Sequence, residues 1–287
     1  MRRGRERKPA LVLRLARRCG WHPGRVLSEV LEWIEVLAVA GLLAFLIMSF
    51  VTVRMRVPTG SMIPAIDPSD SFFVDRISYW FRDPRPGDII VFWHTDRVSV
   101  RSVEPDSVAS LVGVAPGELV ETVNRIPVFD AADADRILAS LPEGTVVFLG
   151  LQGSVPLEIG IKTVEYDTLE ALGIRLRDHR IRYVKRLIAT GGETVQIRDG
   201  GVYVDGTRLT GGRFDRAYVA SDARMRYGVA PTEVPEGHLF VLGDHSTSSL
   251  DSRYWGFVDE RDVIGEPYFR VWPLSRFGPM NGYFGSS

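Results

Sequence analysis

From Val36 to Val53 the chain carries no charged side chain, and a helix over this run of roughly 18 residues just reaches across a hydrocarbon layer about 30 Å thick. Such a segment either spans a bilayer, forms the apolar part of a cleaved leader, or lies buried in a soluble core. Its flanks decide among these. Arg2, Arg3, Arg5, Arg7, Lys8, Arg14, Arg17, Arg18 and Arg25 crowd the first 30 residues against Glu6 and Glu29, and a basic cluster ahead of an apolar span holds the amino terminus in the cytoplasm. The run is long for a leader, and Arg54, Met55 and Arg56 make a poor small-residue cleavage site. The expectation is a cytoplasmic tail over residues 1–30 and an uncleaved single-pass anchor over 31–53, with Trp33 near the inner interface and everything after Val53 outside. A basic tail also suits nucleic acid, but no later basic face with interleaved aromatics supports that, so no nucleic-acid partner is expected. Cys19, the single cysteine, falls in the tail, which leaves the exported part to be held by its core without a disulfide.

After the anchor, Ser71 to Asp75 and Asp88 to Trp93 read as short strands separated by the turn cluster Pro84 to Gly87. The same texture returns at Ile181 to Ala189, at Thr194 to Arg198 and Val202 to Asp205 around a turn at Asp199, Gly200 and Gly201, and at His238 to Leu242. These describe a mostly β domain over 54–97 and 165–287. Between its halves, residues 98–164 run strand, turn, strand, a polar helix over Ala131 to Leu141, a turn at Pro142 to Gly144, then Thr145 to Leu151. The stretch Pro116 to Val128, with that helix and Pro142-Glu143-Gly144-Thr145, resembles the PDZ domains of bacterial envelope proteases. The resemblance implies an inserted α+β module that takes carboxyl-terminal peptides by strand addition. A spacer without a ligand of its own is the other reading.

Two residues invite chemistry. Ser61, in Pro58-Thr59-Gly60-Ser61-Met62-Ile63-Pro64, follows the anchor closely, and Gly60 permits a tight backbone there. Alternation along Ile181 to Ala189 puts Lys185 on a face with Tyr183 and Leu187, while Arg182 and Arg186 point the other way. A lysine aimed at an apolar face loses solvation of its charged form, its pKa falls, and it can serve as a neutral base for a serine hydroxyl. Read alone, Ser61 suits a turn and Lys185 suits the edge of a sheet. The polar stretch Gly243 to Gly256, rich in hydroxyls with Asp244, Asp251 and Arg253, suits a hydrogen-bonded loop beside a site.

Taken together, the anchor, Pro58 to Pro64, Gly87 to Phe92, Tyr183-Val184-Lys185-Arg186, Gly191-Gly192-Glu193, Gly243 to Gly256 and Trp272 to Gly278 resemble bacterial type I signal peptidase. The resemblance implies a signal-peptidase-type β-sheet catalytic domain lying on the plasma membrane, cutting exported preproteins after small residues at the first and third positions. It implies Ser61 as nucleophile, Lys185 as base, and Thr59 with the Ser61 amide as oxyanion donors. It further implies Ser249 as the hydroxyl that orients the lysine, Asp251 and Arg253 as a supporting ion pair, and Met62 packed beside the nucleophile. The partners implied are preproteins and the lipid bilayer, with a peptide for the inserted module. No metal or organic cofactor is implied, and His22, His94, His179 and His238 show no metal-ligand spacing. His245, Ser246, Thr247 and Ser248 depart from the Asn, Arg, Asp and Asn usual in that loop, which puts one of its salt bridges in question.

Three alternatives compete. Asp244 and His245 invite a Ser-His-Asp arrangement, but adjacent residues on a strand end point apart. A self-cleaving regulator of the LexA type shares the Ser and Lys pair but lacks an anchor. A non-catalytic membrane scaffold displaying the PDZ-like module would have no use for both Ser61 and Lys185. Tyr79, Trp80 and Phe81 suit either a bilayer interface or the core.

Overall fold

A computed structural model of the chain describes residues 11–18, 20–21, 23–46, 52–163, 166–219, 222 and 224–280. Helix α1 (Leu11–Arg18) is tied to α2 (Arg25–Leu46) by the Val12 N–H, which donates to the Glu35 carboxylate at 2.8 Å. Helix α2 begins ahead of the expected anchor, and its last 18 residues still include Glu29, Glu32 and Glu35, so among the described residues no helix is long and apolar enough to cross a membrane. Residues 47–51 of the expected anchor, and Cys19, lie outside the described residues. Thr52 and Val53, expected at the anchor's end, instead open strand β1 (Thr52–Arg56), where they pair with Asp75 and Val74 of β2 (Ser71–Asp75). Both are β-branched, and the apolar Val53 and Met55 find a core in the sheet, so the strand wins at this end of the run.

The sheet is organised by two long strands. Where the sequence suggests separate strands before and after residue 97, one strand, β3 (Ile89–Val103), runs through. There follow α3 (Val108–Leu111), β4 (Leu119–Val123), β5 (Ile126–Pro127), α4 (Ala131–Ser140), β6 (Val146–Leu151), β7 (Leu157–Ile161) and then β8 (Ile174–Thr190). Strands β3 and β8 pair antiparallel from Ile89 opposite Arg186 to Val103 opposite Ile174, with register shifts at Thr95–Arg97 and Val100–Ser102. Strands β4, β6 and β7 extend the sheet from β3.

The half of this ribbon nearer β4 has its own core, in which Val98, Val100, Val123, Leu138, Leu149, Ile159 and Ile174 are buried against one another. Helix α4 closes it, started by the Asp130 side chain, which accepts from the Asp133 N–H as an N-cap. Leu169 and Leu172, beyond residue 164, belong to the same cluster.

The other half carries β9 (Thr194–Arg198), β10 (Gly201–Val204), β11 (Thr207–Arg208) and β12 (Thr232–Glu233) as a small sheet. Asp199 and Gly200 both take positive φ in the β9–β10 turn, the conformation of a tight hairpin. Strand β13 (His238–Leu242) pairs with the end of β8, β14 (Val258–Asp259) follows α5 (Ser252–Trp255), and β15 (Val263–Trp272) joins β2 to β3 before β16 (Gly278–Pro279). A side-chain contact also links the two halves. Arg226 donates through Nη1 to both carboxylate oxygens of Asp133 of α4 at 2.9 and 3.0 Å, through Nη2 to the Pro127 carbonyl, and lies over the Phe129 ring.

Separate clusters predict separable stabilities. Leu149→Ala is expected to cost about 2–5 kcal/mol locally, read as faster amide exchange in β4 and β6. Exchange in β9 and β13 should be unchanged, and equal acceleration in both halves would show one cooperative core.

Candidate active site

Strand β8 delivers Lys185 to a dry position. Lys185 lies opposite Ile90 in the ladder, Val184 packs on the opposite face against the cluster that holds Met62, and Lys185 is only 4% exposed. Its Nζ donates to the Ser61 Oγ at 2.9 Å, across 124 residues of chain. Burial pushes the Lys185 pKa down to about 8; the Asp251 carboxylate pulls it back up, the Arg253 guanidinium lowers it, and Asp244 raises it.

Ser61 is presented by a turn whose end is locked into the core. Met62, Ala65 and Ile66 are fully buried, the Ile63 N–H donates to the Gly60 carbonyl, and the Ile66 N–H donates to the Met62 carbonyl. Thr59 Oγ1 lies 3.4 Å from Ser61 Oγ. The Ser61 N–H has no acceptor among the described residues, so it is available to a developing negative charge. A groove of about 300 Å³ opens on the pair, lined by Met55, Val57, Ile181, Tyr183 and Leu250 among others.

The loop after β13 holds the other side. Arg253 is fully buried and grips Asp251 through Nε and Nη2 at 2.8 and 2.9 Å, while Asp251 also accepts the Gly243 N–H at 2.9 Å. Arg253 Nη1 donates to the Val219 carbonyl and to Ser246 Oγ, and Nη2 donates to the Ser246 carbonyl. Asp244 receives Arg186 in a bidentate pair, 2.7 Å to each oxygen, with Arg216 on the same carboxylate. The His245 N–H donates to the Ser61 carbonyl at 3.0 Å, which ties this loop to the backbone of Ser61.

The structure thus brings Ser61, Lys185 and Thr59 together, with Met62 behind them and the Asp251–Arg253 pair beneath the loop. Ser249 is buried nearby, but its hydroxyl has no hydrogen-bond partner, so no bond from it to Lys185 is present. A Ser-His-Asp arrangement is excluded by geometry. The Asp244 carboxylate is taken up by two arginines, and the His245 side chain is exposed.

Sequence reasoning names Gly243 only as the start of a motif and misses its packing role, and it misses Arg216. A Cβ built on Gly243 would lie 2.1 Å from Ser249 Oγ and 2.7 Å from the Ser61 carbonyl, so a side chain there would force the loop away from Ser61. Arg216 comes from the irregular stretch between β11 and β12, where no periodicity points to a target. It places a second guanidinium, beside that of Arg186, on the Asp244 carboxylate.

Known proteins resemble this chain over most of its length. The family described as signal peptidase, peptidase S26, matches residues 30–272. A probable signal peptidase I-1 of Synechocystis sp. is 28% identical over 88% of this chain and 87% of its own. The signal peptidase I of Leptolyngbya laminosa is 26% identical over 88% and 85%, and that of Mycobacterium tuberculosis (strain ATCC 25618 / H37Rv) 27% identical over 88% and 75%.

Two outcomes follow from the packing. Gly243→Ala should cut turnover at least about tenfold, as expected when a catalytic group is displaced by a fraction of an ångström or more, while circular dichroism stays native; full activity would show that the loop relaxes freely. Arg186→Met should cost about 3–5 kcal/mol in urea denaturation, because it removes a buried partner of Asp244.

Proposed function

The chain belongs to the signal peptidase family, peptidase S26, and from that membership we propose that Ser61 is its nucleophile and Lys185 its general base. As a member it is a serine endopeptidase that removes signal peptides from exported preproteins. A non-catalytic scaffold is set aside by that membership. The observation that carries the assignment of residues is the 2.9 Å hydrogen bond from a buried lysine to a buried serine.

The chemistry requires no cofactor. Neutral Lys185 takes the Ser61 proton as Oγ attacks the carbonyl carbon before the cut, and the oxyanion settles between the Ser61 N–H and the Thr59 hydroxyl. Lys185 then gives that proton to the departing amine, leaving an acyl-enzyme. Water, deprotonated by Lys185, attacks the ester and frees Ser61. Asp251 and Arg253 support the loop that holds Ser249 and Gly243, and Met62 wedges the nucleophile's turn.

The same reading assigns residues 52–97 and the chain after Ile174 to the catalytic domain, 98–164 with Leu169 and Leu172 of the same core to an inserted PDZ-like module, and the apolar run from 31 up to β1, with the basic tail 1–30, to a single-pass anchor, amino terminus inward. Support for a bilayer contact comes from exposed apolar side chains. Those on α2 stand open, Leu37 at 67% and Phe45 at 64%, and so do Trp80 and Phe81 at one end of the β2–β15 pair and Trp272, Leu274 and Phe277 at the other. Tyr79, by contrast, packs against the cluster of Phe92 and Trp255.

Ser61→Ala and Lys185→Ala should each lower cleavage of a preprotein by detergent-solubilised protein on the order of 10³-fold or more. Because only the neutral amine accepts a proton, kcat/KM should rise with pH through about 8 and level off above it. A controlling limb near the ordinary histidine value, roughly 6.5, would overturn the assignment of Lys185.

A further inference from the structure

Away from Ser61, a cleft lies between the two halves of the molecule, where the β3–β8 ribbon loses its alternation. It encloses about 620 Å³, inside the range of about 300–1,000 Å³ found for ligand sites. Helix α4 and its N-cap supply one wall through Asp130, Ala132 and Arg136, and the other half supplies Tyr227, Phe257 and Asp259. The floor is Trp93 to Thr95 of β3 with Asp178 and Arg180 of β8. On the edge of β3 away from β8, β15 reaches only to Phe92 and β4 starts only at Val98. Among the described residues no strand pairs that edge between them. At one end of the cleft His94 stacks on Trp255 and Tyr183, with ring centres 4.2 and 4.8 Å away. Burial pushes the His94 pKa down to about 4, with Lys185 and Arg180 lowering it further, so the imidazole is neutral and keeps one acceptor nitrogen. Among the described residues no hydrogen bond reaches that ring, and the Trp255 Nε1–H, in a residue only 6% exposed, has no acceptor. At the other end carboxylates outnumber free cations. Arg180 is taken by Asp262, Arg136 is shared between Asp130 and Asp133, and Asp259 is held by Arg261. Asp178 accepts the Ala131 N–H at 2.8 Å but has no cationic partner among the described residues. Burial, with Asp133 and Asp178 close by, holds the Asp130 carboxyl above its usual range.

We propose that this cleft binds a basic side chain of a polypeptide, an arginine or a lysine, with its charge beside Asp130 and Asp178 and its apolar stem against Tyr227 and Phe257. The main chain of that polypeptide lies over Trp93 to Thr95, where backbone groups of β3 have no strand partner. The proposal stands apart from the assignment of Ser61 and Lys185. Three observations carry it: the unspent charge of Asp178, the unpaired stretch of β3, and the indole and imidazole nitrogens without partners at the closed end. A cation beside Asp130 also relieves the crowding of carboxylates there. A free polyamine would answer the acids alone, and would leave the unpaired backbone and the indole N–H as they are.

The test is calorimetric titration of the detergent-solubilised Ser61→Ala protein, chosen so that cleavage of the probe does not intrude. The probe is the peptide acetyl-Ala-Leu-Arg-Leu-Ala-amide at low salt. It should bind with a single site, and the same peptide with neutral citrulline in place of arginine should bind at least about tenfold more weakly. Asp178→Asn keeps an acceptor for the Ala131 N–H and removes the charge. It should weaken the arginine peptide about fivefold, the upper end for an exposed ion pair. Ala132→Trp, at an exposed position of α4, fills the cleft and should abolish binding. Circular dichroism and the urea midpoint should stay native in both variants. Equal affinity for the arginine and citrulline peptides overturns the site, as does an affinity that survives either substitution. Ethylguanidine should bind at least about tenfold more weakly than the peptide; equal affinity leaves no role for the main chain and overturns the reading of the ligand as a polypeptide.

Discussion

The pairing of β3 with β8 is the constraint on which the remaining structure depends. It fixes Lys185 opposite Ile90, between a face that buries Leu187 and Phe92 and a face that buries Val184 and Met62. It also carries the chain from the catalytic core into a second core without a break, because the same two strands supply Val98, Val100 and Ile174 to that cluster. A shift of one residue between the strands would turn Lys185 toward the opposite face. The Ser61–Lys185 contact and the placement of residues 98–164 thus depend on one register.

Ser61 reaches that register from a different direction. Its turn is anchored by Met62, Ala65 and Ile66 beneath the β1–β2 pair, and the loop after β13 binds it through the His245 N–H. Three segments distant in sequence therefore meet at one hydroxyl. Any of them could place a side chain near Lys185; the tight fit of Gly243 between Ser249 and the Ser61 carbonyl limits how far they can slide.

The legible parts of the sequence were those with a short period. Alternation in Ile181 to Ala189 located the strand and the burial of Lys185, and the hairpin at Asp199 and Gly200 announced itself through its turn residues. The helix over 131–141 ends one residue earlier, at Ser140. The join of two short strands into β3 was not legible, because Thr95, Asp96 and Arg97 form an irregular, polar stretch that interrupts the alternation. The end of the expected anchor is illegible for a similar reason. An apolar run gives no sign of where a helix yields to a strand, and Thr52 and Val53 are settled by partners in β2 that lie about twenty residues on. Arg216 and Arg226 were invisible for a stronger reason, since an arginine in an irregular segment carries no signal of the carboxylate it will meet.

The buried charges around the loop explain how Lys185 can be tuned by burial at all. A lone carboxylate near the lysine would hold its proton on, and a lone guanidinium would drive it off beyond usefulness. Asp251 and Arg253 come as a bidentate pair, and their effects on the lysine oppose each other. Asp244, which also raises the lysine's pKa, is itself paired with Arg186 and Arg216. Pairing leaves the desolvation of Lys185 as the largest cause of its shift, and desolvation depends on packing rather than on salt or on a single neighbour. Paired ions this deep seldom stabilise a fold more than apolar residues of the same volume would. Here they satisfy the backbone of an irregular loop, through Gly243, Ser246 and Val219, at a place beside Ser61 where a sheet ladder cannot reach.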